Sequence, residues 1–217
     1  LYEGAGNLTE ASVDFRYYLD HFKNAANRGQ IALSLAEWYD YSKSAPQAVK
    51  YLKLCFSEKN DDSAECGARL ADLYTKLEAL PQANHTYRAV AALGGSSHRG
   101  RKGKSRNSST DHSPWIGYAR YHIATTLERD TQFRKLSLPD DKLKRGLQER
   151  LSFLKRLNDS YQTVVETSGP WAIAALDRLA NWVMDFANDV AQIDPPKNAS
   201  PEAIVELHKG FKSISDT

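Results

Sequence analysis

The sequence predicts an all-α chain of antiparallel helical hairpins stacked one on the next. Three observations predict it. Apolar residues recur at helical spacing, helix-start and helix-stop signals punctuate the chain, and one block of side chains returns at a fixed offset. The block Leu35-Ala36-Glu37-Trp38-Tyr39 reappears as Leu70-Ala71-Asp72-Leu73-Tyr74, and Pro46-Gln47-Ala48 reappears as Pro81-Gln82-Ala83. Leu52 answers to Tyr87 and Cys55 to Val90, every pair being 35 residues apart. An offset shared by separate features marks a structural repeat.

Each repeat reads as a hairpin. Leu35 and Tyr39 are four residues apart and share a helix face, and Ala36 beside them lets a second helix approach closely. Ala48, Leu52 and Cys55 form the answering stripe on the next helix. Ser44-Ala45-Pro46 and Leu80-Pro81 start that second helix, with proline in the first turn where its missing N–H costs nothing. Such a hairpin cannot bury its apolar face alone, so it has to stack.

The elements follow in order. Helices are expected near 8–25, 29–42, 46–58, 62–77, 81–93, 115–136, 140–167, 170–193 and 201–214. Ala11, Phe15, Tyr18 and Leu19 read as the second helix of a unit whose first half is missing. Pro139 opens the long helix with Asp140 and Asp141 at its positive end. Ser168-Gly169-Pro170 stops that helix and starts the next, Asp194-Pro195-Pro196 ends it, and Ser200-Pro201-Glu202 opens the last. The kernel returns in degraded form as Ile123-Ala124 with Leu127 and as Leu179-Ala180 with Val183, at spacings of 53 and 56 residues. The expected organisation is repeats over 1–93, a basic loop over 94–113, and degenerate helices over 114–217 continuous with the first part.

A helix-turn-helix unit with small and aromatic residues at these offsets resembles the tetratricopeptide repeat. The match covers Leu35, Ala36, Tyr39, Ala48 and Leu52 in one unit and Leu70, Ala71, Tyr74, Ala83 and Tyr87 in the next. It departs at the closing proline, where Asn60 and Gly95 stand, and by one extra residue per unit. The resemblance implies a right-handed superhelix, an α-solenoid, whose concave face binds other proteins. From Trp115 onward, Arg120-Tyr121-His122-Ile123-Ala124, Phe133-Arg134-Lys135-Leu136 and Trp171-Ala172-Ile173-Ala174-Ala175 with Arg178 resemble the C-terminal region of envelope-associated tetratricopeptide scaffolds of gliding and predatory bacteria. That resemblance implies a periplasmic or outer-membrane-associated scaffold in a motility or surface machinery.

Carrying the family's groove over by motif position points Glu37, Asp40, Tyr41, Glu65, Asp72, Lys76, Tyr121, Glu128, Arg129, Asp177, Asn181 and Asp185 at the partner. Most of these are acidic although the chain carries a net charge of +2, which implies a basic protein or peptide partner. A solvated helix face is the plainer reading. The loop GGSSHRGRKGKSRNSSTDHS carries Arg99, Arg101, Lys102, Lys104 and Arg106, lacks an anchoring apolar side chain, and is expected to be mobile. It lacks aromatics to stack on bases, so no nucleic-acid partner is expected, and an anionic surface or the chain's own acidic groove are its functional readings.

Composition bounds the rest. With 41% hydrophobic and 26% charged residues the chain can bury a core. No apolar run approaches the ~20 residues needed to cross a bilayer. The absence of an initiator methionine and the turn-rich start lead us to expect a piece of a longer protein. The six histidines lack metal-ligand spacing and no nucleophile elbow or phosphate loop is present, so neither an enzyme nor a cofactor is expected. Cys55 and Cys66 flank the polar stretch Ser57–Ser63 at matching distances, which permits a disulfide across the turn; two small buried thiols are the other reading. A bridge would favour an oxidising compartment. Free thiols would favour the second functional reading, a cytosolic adaptor binding a signalling protein such as a small GTPase or a polarity factor.

Overall fold

The 35-residue offset appears in the backbone itself. In the computed structural model, Arg28–Tyr41 and Ser63–Lys76 are helices of equal length set 35 residues apart, and Ala45–Ser57 and Leu80–Leu93 follow them as partners. The structure describes residues 8–94, 113–129, 131, 136, 140–167, 169–193, 200, 202, 205 and 209. Among these the helices are α1 (Leu8–His21), α2 (Arg28–Tyr41), α3 (Ala45–Ser57), α4 (Ser63–Lys76), α5 (Leu80–Leu93), α6 (Pro114–Arg129), α7 (Asp140–Val165) and α8 (Pro170–Ala191). No strand occurs among the described residues, and neighbours in sequence pack together: α1 on α2, α2 on α3, α3 on α4, α4 on α5, and α7 on α8. No described helix is long and apolar enough to cross a membrane. Glu202, Val205 and Lys209 are helical, whereas the rest of the helix expected at 201–214 and the loop residues Arg99, Arg101, Lys102, Lys104 and Arg106 lie outside the described residues.

The burial pattern repeats with the helices. Arg28, Gly29, Ala32, Leu35 and Ala36 are buried in α2, and their counterparts Ser63, Ala64, Gly67, Leu70 and Ala71 are buried in α4. In the second helices Ala48, Tyr51, Leu52 and Cys55 correspond to Ala83, Thr86, Tyr87 and Val90, all buried. Small residues hold the close approaches. A Cβ on Gly67 would overlap the side chains of Val90 and Phe56, so α4 can seat between α3 and α5 only without a side chain there.

The turns repeat as well. Lys43 and Glu78, again 35 apart, adopt left-handed backbone at φ 59° and 58°. In each turn the residue after it donates back to the helix: Ser44 N–H to the Tyr39 carbonyl at 2.8 Å, and Ala79 N–H to the Tyr74 carbonyl at 2.9 Å. This satisfies a terminal carbonyl while reversing the chain. Lys59, between α3 and α4, takes the same conformation at φ 53°. Lys and Glu side chains are strained in that region, which glycine adopts freely.

Two helices end four or more residues before their sequence patterns do. α1 ends at His21 because the buried Arg28 guanidinium donates to the carbonyls of Leu19 (2.6 Å) and Phe22 (3.1 Å) and pairs with Glu58, capping the helix from the side. α6 ends at Arg129, and Thr131 and Leu136 are not helical. The chain falls into two compact units, residues 1–120 and 121–217, so α6 contributes residues to both. The first unit has a core around Leu35, Ala36, Leu52, Cys55, Cys66 and Leu70. The second holds Phe153, Leu157, Tyr161, Val164 and Ala175 at its centre, with Leu136, Val190 and Ile193 at one end.

Cys55 of α3 and Cys66 of α4 form a disulfide, fully buried, with Cα atoms 5.9 Å apart. It ties one hairpin to the next rather than closing a hairpin on itself. Two changes in stability follow. Replacing both cysteines by alanine should cost about 2–4 kcal/mol in denaturant unfolding, since a crosslink spanning 11 residues restricts the unfolded chain. Lys43→Gly and Glu78→Gly should each gain about 0.5–1 kcal/mol in the same assay, because glycine relieves the left-handed strain.

Candidate functional site

In the first unit α2 and α4 are the first helices of successive hairpins, and the shallow channel between them is the candidate site. A pocket of about 430 Å³ opens there, lined by Ala36, Glu37, Asp40, Tyr41, Leu52, Arg69, Asp72, Leu73 and Lys76. Its floor is apolar, formed by Ala36, Leu52 and Leu73, each itself almost wholly covered by the packing beneath. Of the groove residues expected here, Glu37, Asp40, Tyr41, Asp72 and Lys76 all line it; Glu65 stands one turn from Arg69 and pairs with it. Tyr41 is 84% exposed at the rim, far more than an aromatic ring ordinarily is.

The carboxylates do not stand alone. Arg69 bridges Glu37 (2.9 Å) and Glu65 (2.7 Å), with its guanidinium 5.7 Å from the Trp115 ring centroid. Lys76 faces Asp40 at 3.5 Å. Asp72 accepts hydrogen bonds from the hydroxyls of Tyr87 and Tyr118, the latter at 2.8 Å. Burial first, then the hydrogen bond to Asp72, pushes both tyrosine hydroxyls above their ordinary range, so each stays protonated and donating. The field over the groove is therefore weaker than a list of acids implies. Glu37 and Asp40 remain about half exposed and free to exchange partners.

Arg69 was not among the residues expected at the groove, yet it organises the site. The signal was present: stacked first helices set residue i beside i+35, and Arg69 lies one turn before Asp72, the counterpart of Glu37.

In the second unit the expected residues separate into two groups. Glu128 is buried, accepts from the Tyr161 hydroxyl, and pairs with Arg178 at 2.6 Å; Arg178 also donates to the Tyr121 hydroxyl at 3.2 Å. Tyr121 packs against Tyr161 and Trp171. Glu128 and Tyr121 thus belong to a polar network that fixes α6, α7 and α8, and Glu128 is not open to a partner. Asp177, Asn181 and Asp185 are exposed on α8, Asn181 donating to Asp177 at 3.4 Å. Asp185 also rims a cleft of about 470 Å³ between α7 and α8, floored by Phe153, Trp182 and Phe186, in which Arg150 pairs with Asp189.

The kernel at Leu179-Ala180 with Val183 does not behave like its namesakes. Ala175 is the small residue buried against α7, whereas Ala180 and Val183 are exposed. The inward stripe is Ala175, Leu179, Trp182, Phe186 and Val190, so the apparent kernel straddles two faces of α8.

Comparison with protein-family models, with curated proteins and with solved structures finds no match to this chain.

The tyrosine networks have a pH signature. Burial, then hydrogen bonding to Glu128, raises the Tyr161 hydroxyl above its ordinary range. A folded-state pKa above the unfolded one stabilises fully below the unfolded value, about 10, and that stability is lost as pH climbs toward the folded one. Unfolding free energy should therefore hold near neutrality and decline above about pH 10. Tyr161→Phe should lose about 1–3 kcal/mol at pH 7, from the donor removed from a buried carboxylate, yet show a shallower alkaline decline. Denaturant titrations at pH 7, 10 and 11 check both.

Proposed function

We propose that this chain is a protein-binding adaptor of the tetratricopeptide type, a solenoid of helical hairpins that grips an extended segment of a partner across α2 and α4. The observation that supports it best is the pocket over Ala36, Leu52 and Leu73, open, apolar at its floor and polar at its rim. Its volume, about 430 Å³, suits an apolar anchor side chain and its neighbour rather than a whole small folded element. Tyr41, Glu37 and Asp40 at the rim offer an aromatic face and exchangeable carboxylates to a flanking Lys or Arg. The partner is thus a peptide with a large apolar residue beside a basic one.

The Cys55–Cys66 disulfide supports an oxidising setting, because structural bridges persist there and are rare in the cytosol. We therefore favour a periplasmic or outer-membrane-associated scaffold in an envelope or motility assembly over a cytosolic signalling adaptor.

Selection from a displayed random-peptide library tests this reading. Wild-type protein should enrich peptides pairing an apolar anchor with Lys or Arg. The Glu37→Lys, Asp40→Lys double variant and Tyr41→Ala should each weaken those peptides about tenfold while retaining helical content, all three positions being exposed. Equal binding by wild type and variants would place recognition elsewhere.

A further inference from the structure

The pocket floor and the disulfide belong to one packed cluster. Leu52 and Leu73, at the base of the groove, share a core with Cys55, Cys66 and Leu70. Cys55 follows Leu52 by three residues on α3, and Cys66 precedes Arg69 by three and Leu73 by seven on α4. The bond thus joins the two helix faces on which the groove is built. α2 and α4 do not depend on each other alone, because α2 packs on α3 and α3 packs on α4. Over the top, the rim pairs Arg69–Glu37 and Lys76–Asp40 close the gap. Since α2 and α3 form one hairpin and α4 belongs to the next, the separation of the groove walls follows the α3–α4 joint.

That joint has no slack beside the bond. Phe56 and Gly67 are the chain neighbours of Cys55 and Cys66, and the two helices pass so closely there that a Cβ on Gly67 would overlap Phe56 and Val90. Both cysteines are 0% exposed. Two separate thiols need more room than the bond that joins them, because sulfurs that share no bond stand at van der Waals distance. A close-packed seam lacks that room, so breaking the bond overpacks it and drives α3 and α4 apart. Arg69 and Lys76 then draw away from Glu37 and Asp40, and Leu73 from Leu52. We propose that formation of the Cys55–Cys66 bond switches the groove into its binding state, so that the chain grips its peptide only after oxidation. The proposal rests on the peptide groove assigned to α2 and α4. The switching step is thiol–disulfide exchange with a disulfide oxidant. The two cysteine thiols give up two hydrogens, with their two electrons, to the oxidant, whose own S–S bond breaks to leave two thiols as the new bond joins Cys55 to Cys66. The chain therefore stays a weak binder while reduced and gains affinity where such an oxidant is present.

A fluorophore-labelled peptide, selected from a random library on the oxidised chain, serves as the probe. Its anisotropy is titrated against the full chain, oxidised and then reduced with dithiothreitol, with circular dichroism recorded on both forms. Reduction should weaken binding about tenfold while the helical signal persists, and reoxidation with oxidised glutathione should restore it. Linkage supplies a second measurement. Bound peptide should raise the equilibrium preference for the bond by the same factor, about tenfold, read as the fraction of unalkylated cysteine in a glutathione redox buffer. Equal affinity of the two forms, or a redox equilibrium that ignores the peptide, would overturn the proposal and leave the groove standing. A loss of binding that tracks loss of helical signal would also overturn it, since it would report unfolding rather than the joint. If no peptide binds even the oxidised chain, the groove reading falls, and this proposal with it.

Discussion

The structure depends on how closely neighbouring helices approach where alanine and glycine stand in place of larger residues. Ala32, Ala36, Ala48, Gly67, Ala71 and Ala83 are all buried, and each sits where one helix crosses another. Small residues at the crossings allow Leu35, Leu52, Leu70 and Tyr87 to interdigitate beside them. Each hairpin alone would leave these stripes in water, so its stability comes from the next hairpin, in the manner of repeat proteins. The disulfide follows the same logic, spanning the joint between hairpins, where the coupling term lies.

The same contact rule shapes the groove. Ala36, Leu52 and Leu73, packed into the core from below, form the floor of the groove, while the residues one step further round the helices form the rim. The rim sets the acids Glu37 and Asp40 of α2 against the cations Arg69 and Lys76 of α4, and Arg69 ties Glu37 to Glu65 across the joint between α2 and α4. The cross-helix pairs hold the two helices at a fixed spacing and leave exposed carboxylates that a cationic partner can capture by exchange.

Much of the first unit was legible in the sequence because its signals are local and repeated. Pro46 and Pro81 mark two helix starts, and the kernel residues fix which face is buried, so α2 to α5 lie within a residue or so of the expected bounds. The left-handed turn residues were not legible, since Lys43, Lys59 and Glu78 carry no composition signal for that conformation. The end of α1 was missed because it is imposed by Arg28, seven residues after His21. Charge pairing across helices was missed for a related reason: Glu37 reads as a free acid until Arg69 is brought beside it. In the second unit the repeat period stretches, register can no longer be carried from one hairpin to the next, and Glu128 passed for a surface acid while Ala180 passed for a core residue.

The tight joint between hairpins is the claim on which the rest stands. Its most direct test compares the unfolding free energy of Ala71→Leu, at a buried crossing in α4, with that of Ala92→Leu, exposed on α5. The account predicts that overpacking at position 71 costs about 2–3 kcal/mol, whereas position 92 stays within about 0.5 kcal/mol of the parent. Equal, small effects at both positions would mean that the helices do not meet as closely as described, and would contradict the account.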